Sequence, residues 1–241
     1  MTQFDPITLI VILALLALVP LAAVMMTSFL KIAIVMSLVR NALGVQQVPP
    51  NMALYGLALV LSAYVMGPVI NQAGRELRAA VTPAAQTAGP SAFQPGVPSM
   101  PSMPALTPPT DRMETLMEAG ARAAEPLRAF MLKNSRPEQR DFFVRTARQL
   151  WGDDQARDLK EGDFLVLVPS FLVTELTEAF QIGFLLYLPF VVIDIIVSNI
   201  LLAMGMMMVS PVTISMPLKL FLFVMVDGWT RLIQGLVLSY S

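Results

Sequence analysis

Histidine and cysteine are absent from this 241-residue chain. Without them there is no disulfide, no thiolate nucleophile, no imidazole base and none of the Cys/His sites that hold zinc or iron–sulfur clusters. Charge is scarce as well: 14% of residues are Asp, Glu, Lys or Arg, and 16 basic against 17 acidic side chains leave a formal net charge of −1. A chain so balanced carries no electrostatic footprint for nucleic acid or for an anionic membrane surface. Carboxylate and Ser/Lys chemistry remain open in principle. No Gly-x-Ser-x-Gly, phosphate-binding loop or dinucleotide fingerprint occurs, however, so catalysis is not expected.

What is abundant is hydrocarbon. The apolar set reaches 56% and the mean hydropathy is +0.67, more apolar surface than one soluble core can hide. Twelve basic and twelve acidic side chains fall between Asn71 and Asp163, so the chain reads as two apolar blocks around one polar insert. The expected division is an N-terminal hydrophobic hairpin over 1–78, a linker over 79–110, a polar helical insert over 111–163 and a second hydrophobic block over 164–241. In the first block Ile7 to Met26 and Met52 to Ile70 are uncharged, each long enough to cross roughly 30 Å of hydrocarbon at about 1.5 Å per residue. In the second, Ala179 to Ile193 and Ile195 to Val209 read as two further spans parted by Asp194. Prolines 169, 189, 211 and 217 predict that these helices are kinked or broken, with the freed backbone groups satisfied by other protein.

Met1 to Asp5 has no basic residue and the apolar run behind it is too long for a signal core, so the N-terminus reads as retained. Lys31 and Arg40, without acids nearby, place the connection between the first two runs in the cytoplasm, with the insert on the other side. Within the insert, Ala79 to Thr110 is uncharged and Thr82 to Thr110 holds eight of the 19 prolines, the composition of a flexible linker. Asp111 with Glu114, then Ser135 with Glu138, stand at capping-box spacing and predict two amphipathic helices, the second carrying Phe142, Phe143, Leu150 and Trp151 up to Gly152. Elsewhere the pattern predicts a helix from about Leu21 to Leu43 stopped by Gly44, and another capped by Asn51 that runs past Pro68 towards Arg78. The fold class is all-α, as membrane-associated hairpins with a small helical insert.

Particular strings point further. Thr27 to Gly44 (TSFLKIAIVMSLVRNALG), Gln46 to Asn51 (QQVPPN), Ala179 to Gly183 (AFQIG), Gly205 to Met208 (GMMM) and Val226 to Trp229 (VDGW) closely resemble the SctR/FliP proteins, export-gate subunits of bacterial type III secretion systems. The resemblance covers about Thr27 to Asn71 and Leu165 to Leu238, and more loosely Lys133 to Leu150; the Pro-rich insert departs from it. The lack of a cleavable signal favours the injectisome branch over the flagellar one, while the Pro-rich insert is longer than either branch leads one to expect. The resemblance implies a pentameric subunit that assembles with SctS-like and SctT-like partners into a closed helical cone for unfolded substrates, beside SctU-like and SctV-like components. It also implies a place at the bacterial inner membrane, with the cone raised towards the periplasm. Neither cofactor nor metal is implied.

Two sets of residues are candidates for the working parts. Met204, Gly205, Met206, Met207 and Met208 precede Pro211. By composition such a run is flexible packing, and by the resemblance it is a gasket that closes around nothing or around substrates of varying shape. Lys31, Glu175, Glu178, Asp194, Lys219 and Asp227 are charges embedded in apolar sequence. Ions in such places mark conduction pathways by default, which keeps a proton-coupled transporter or ion channel as the alternative function. Pairing between helices or subunits is the preferred reading, with Asp227 and Arg231 as a local i, i+4 pair. An intramembrane hydrolase built on Asp194 and Asp227 ranks last. Phe180, Phe184, Phe190 and Phe221 read as packing residues.

Deleting Pro83 to Pro109 tests the linker reading. Shortening a flexible loop changes its closure entropy by only about 0.6 kcal/mol per factor of two in length, so assembly and secretion are expected to stay nearly intact. Complex formation on native gels and export assays measure it, and loss of assembly would identify a docking element instead.

Overall fold

The computed structural model describes residues 6–45, 49–81, 109–152 and 154–241, and among them it contains eight helices and no strand. They are α1 (Pro6–Met25), α2 (Phe29–Ala42), α3 (Asn51–Val81), α4 (Pro109–Lys133), α5 (Pro137–Trp151), α6 (Phe164–Ala203), α7 (Pro211–Met225) and α8 (Gly228–Leu238). The Gln46–Val48 part of one family string, and the expected linker from 82 to 108, lie outside the described residues. Two compact units form, Met1–Gly67 with Met131–Ser241, and Pro68–Phe130.

The first unit is organised around α2 against α6. Ile32, Val35, Met36, Val39 and Ala42 recur at helical spacing and are buried on α2. They share a core with Leu54 and Ala58 of α3, Ala179 and Phe190 of α6, Phe223 of α7, and Leu232 and Leu236 of α8. Close approach of α2 to α6 depends on Gly183, because a Cβ built there would run into the Leu38 side chain. Phe190 meets Phe223 at a centroid distance of 6.3 Å, whereas Phe180, Phe184 and Phe221 are exposed.

Several boundaries differ from the sequence expectation, each for a local reason. The expected helix from Leu21 to Leu43 is two helices. The Thr27 hydroxyl accepts from the Phe29 N–H at 3.4 Å, and Ser28 donates to Ser62 of α3 at 3.1 Å, so a hydroxyl-stabilised turn replaces the helical ladder. The two expected spans on either side of Asp194 are one 40-residue helix, α6, with Pro169 and Pro189 inside it, and the second ends at Ala203, so that Met204–Val209 are not helical. Asp194 does not interrupt it because its carboxylate is engaged by Ser215 and Lys219. Asn51 is not a cap: the Pro50 carbonyl accepts the first bonds of α3, and the Asn51 side chain instead accepts from Arg40. Ser135 does not cap α5 either. It donates to the Leu132 carbonyl and accepts from Arg140, while α5 opens on Pro137.

α5 lies on α6, tied by the Arg136 N–H to the Thr174 hydroxyl at 3.1 Å. α6 ends in a Schellman motif: Gly205, at φ 74°, donates to Leu202 O, and Met206 N–H reaches back to Leu201 O, both at 3.0 Å. α7 and α8 are bent by 61° about Asp227, which adopts the left-handed conformation at φ 53°. Two helices among the described residues, Asn51–Ala79 and Phe164–Ala203, are long and apolar enough to cross a membrane, and the bent α7–α8 pair passes as one broken span.

The second unit comprises the C-terminal part of α3 and α4 up to Phe130. α4 begins at Pro109, so the expected cap at Asp111 lies within the helix. Its exposed pairs, Glu118 with Arg122 at 2.7 Å and Glu125 with Arg128 at 2.9 Å, are the ordinary ornament of a solvated helix face.

Gly183→Val adds bulk where Leu38 already stands, and overpacking of this kind costs about 1–3 kcal/mol. Thermal unfolding in detergent is expected to show that loss, and Leu38→Ala in the same chain should recover part of it.

A buried ion network and a methionine loop as the candidate functional site

Lys31 projects from α2 into the apolar core, where an unpaired ammonium is not tolerated. It is 1% exposed and donates to two carboxylates one turn apart on α6, Glu175 at 3.4 Å and Glu178 at 2.9 Å. Glu175 is wholly buried, and its second oxygen accepts from the Tyr240 phenol. The Tyr240 ring in turn lies beneath Lys31, 4.1 Å from the ammonium to the ring centroid. Burial, reinforced by the Glu175 charge, raises the Tyr240 phenol far above its ordinary pKa, so it stays a donor at any working pH. Glu178 is one-third exposed and also faces Arg136 at 3.7 Å. Two cations thus face two carboxylates across three elements.

A second cluster sits between α6 and α7. Asp194 accepts from the Ser215 hydroxyl on one oxygen and from Lys219 on the other, both at 2.6 Å. Lys219 is buried and also donates to Ala42 O at 3.3 Å, closing the C-terminal end of α2. Asp227 joins neither cluster. It meets Arg231 only through its backbone carbonyl, which accepts the Arg231 N–H at 3.0 Å; among the described residues no side-chain ion pair links them. Asp194 and Asp227 therefore do not form a catalytic pair. Among the described residues no group of three or more carboxylates comes together to hold a metal.

Between the two legs α6 and α7 stands the methionine loop. Its start is set by the Schellman turn at Gly205 and its end by Ser210 and Pro211 at the head of α7. Met208 is 100% and Met207 82% exposed, so their own chain leaves these two uncovered, while Met204 and Met206 are exposed in part, at 59% and 43%. Three partners escaped sequence reasoning. Ser215 stands four residues before Lys219 and shares its helix face, a spacing that could have marked it; Tyr240 and Arg136 carry no such signal.

Residues 12–236 match the FliP family. The chain is 48% identical to the Yop proteins translocation protein R of Yersinia pestis, over 98% of this chain and 97% of that protein. It is 46% identical to the virulence protein YscR of Salmonella typhimurium, over 98% of each. It is 40% identical to the harpin secretion protein HrcR of Erwinia amylovora, over 99% of this chain and 98% of that one.

Lys31 keeps Glu175 when Glu178 is lost, but a second cation beside a buried ammonium is poorly screened, and disrupting buried ionic contacts costs roughly 3–5 kcal/mol. Glu178→Lys, which sets a second cation against Lys31, is accordingly expected to abolish assembly, and Lys31→Glu in the same chain to restore part of it. Lys219 is engaged elsewhere, so its reversal should restore nothing. Native gels of membrane extracts distinguish these outcomes. A Glu178→Gln chain that assembles normally but exports nothing would favour proton relay over pairing.

Proposed function

We propose, since this chain belongs to the FliP family, that it is a core subunit of a type III export gate, a gated channel through which unfolded proteins leave the cytoplasm. Family membership makes it a structural component of a secretion apparatus rather than an enzyme. Virulence, translocation and harpin secretion in the relatives' names support the injectisome branch. Several copies, a pentamer by family resemblance, surround one axis with SctS-like and SctT-like subunits. SctU-like and SctV-like components complete the apparatus at the inner membrane.

The single observation that carries the gate reading is the exposure of the methionine loop. Large apolar side chains at the tip of a loop held at both ends are unfavourable in water unless something covers them. Copies of the same loop around an axis would cover one another. A constriction of thioether side chains excludes water and ions by dewetting, needs no charge, and yields to substrates of differing shape because Met is unbranched.

The length of α6 supports a gate that extends beyond the bilayer. Forty residues at about 1.5 Å each span roughly 60 Å, about twice a hydrocarbon layer. Phe180, Phe184, Leu185, Ile195 and Ile196 are exposed along it, a face that neighbouring subunits can bury where lipid ends. In the ion network both carboxylates of α6 already have cationic partners, which supports an assembly role over titration during transport.

Changing Met206, Met207 and Met208 together to Ala removes the bulk of the constriction and leaves Gly205 and Pro211 to shape the loop. The expected result is a complex that still co-purifies with two other small membrane proteins but leaks ions or small solutes. Leu at the three positions keeps the volume and stiffens the side chains, so the gate should stay closed at rest and export less. Membrane permeability in cells expressing the whole gate decides it. A triple-Ala chain that assembles, secretes normally and does not leak would return these methionines to plain packing.

A further inference from the structure

Gly228 and Gly235 lie two turns apart on one side of α8, and their surroundings are opposite. At Gly228 there is no room, since a Cβ would collide with the Phe223 ring, itself packed edge-on against Trp229 at 5.3 Å. At Gly235 nothing stands within 4 Å of where a Cβ would be. That empty space belongs to a cavity of about 480 Å³, walled by Val39 of α2, Leu186 and Phe190 of α6, Phe223 of α7, and Leu232 and Leu236 of α8. All of these belong to one compact unit. The volume falls within the roughly 300–1,000 Å³ of sites that hold a single small ligand.

The walls are almost wholly hydrocarbon, and Arg231 is the one charged side chain on them. Arg231 is exposed, and among the described residues no carboxylate lies within ion-pair distance of it. Water has few polar partners in such a hollow. A guanidinium at its rim presents a fork of donors suited to a carboxylate or phosphate. The two features call for one ligand with a hydrocarbon chain and an anionic head. For a chain with helices of membrane length, the amphiphile of that kind in steady contact with it is an anionic phospholipid. We infer that this cavity takes one acyl chain of an anionic phospholipid, whose headgroup phosphate rests on Arg231. The methionine loop has no part in the site, so the inference is independent of the gate.

The test uses the full chain, purified with its partners and reconstituted in phosphatidylcholine vesicles that contain a minor fraction of phosphatidylglycerol bearing a diazirine on its acyl chain. Photolysis is expected to attach label to Leu186, Phe190 or Leu232, located by peptide mass spectrometry. Arg231→Gln should cut that labelling by about tenfold, the worth of a charge-assisted hydrogen bond. Labelling by a diazirine diacylglycerol, which has the same chains and no phosphate, should start lower and be unchanged by the same substitution. Gly235→Leu projects into the open space and should abolish labelling by both lipids. Leu186→Trp fills the cavity from the opposite wall and does the same should Gly235→Leu fail to fold. Labelling that persists in a folded, filled variant overturns the site, as does wild-type label elsewhere than the cavity. Labelling by the neutral lipid as strong as by the anionic one, or a diazirine fatty acid that outcompetes phosphatidylglycerol, overturns the assigned headgroup. Protein-to-protein cross-links through the cavity would replace the lipid by a neighbouring subunit.

Discussion

An ammonium inside hydrocarbon has to find a carboxylate, and the position of Lys31 on α2 makes that requirement govern the docking of α2 on α6. Hydrophobic contact alone would let two apolar helices slide past each other by a turn at little cost, because contact with hydrocarbon is not directional. With Lys31 between Glu175 and Glu178, a slip of one turn leaves it one carboxylate in place of two, and a larger slip leaves it unpaired. Exposed pairs such as those on α4 contribute about 0–1 kcal/mol, whereas breaking a buried one costs roughly 3–5 kcal/mol. The ionic contact therefore specifies register, and the small residues Ala179 and Gly183 follow directly after the carboxylates so that the backbones can close.

The second pair extends the same logic to the methionine loop. Lys219 reaches Asp194 on α6 and the last carbonyl of α2 at once, so α2 is held near its start by Lys31 and at its end by Lys219. The two legs of the loop are joined by Asp194 to Ser215 and Lys219. Beyond that clamp come the last turns of α6, the Schellman turn and the loop itself. The segment between Gly205 and Pro211 lies outside that clamp and makes only local backbone bonds, Met207 N–H to Gly205 O and Val209 N–H to Met206 O, an arrangement that suits the proposed seal.

The existence of α1 to α6 was legible in the sequence, because uncharged runs, Gly44, the Pro49–Pro50 pair and Gly152 are local signals, whereas α7 and α8 were not singled out. Their limits were less so. Whether Thr27 ends a helix depends on Ser62, 35 residues away, and whether Asp194 ends one depends on Lys219, 25 residues away. The embedded charges stood out as a set, since ions are rare in apolar strings. Their pairing did not, because Lys31 and Glu175 are 144 residues apart and no local pattern chooses between Glu175, Glu178 and Asp194. The methionine loop was visible as composition and as a family string. Its exposure follows only from the fold.

The surface of α6 carries two messages that one environment has to satisfy together. Its exposed Phe, Leu and Ile side chains favour hydrocarbon. Pro189, exposed on the same helix, has no N–H to give to the Leu185 carbonyl, and in lipid a carbonyl left without a partner costs several kcal/mol. Water satisfies the carbonyl and rejects the side chains; lipid does the reverse. Another protein surface that offers apolar side chains and a polar donor accommodates both. Both properties suit the proposed assembly, in which other subunits cover part of this helix, and so does its excess over the thickness of a bilayer.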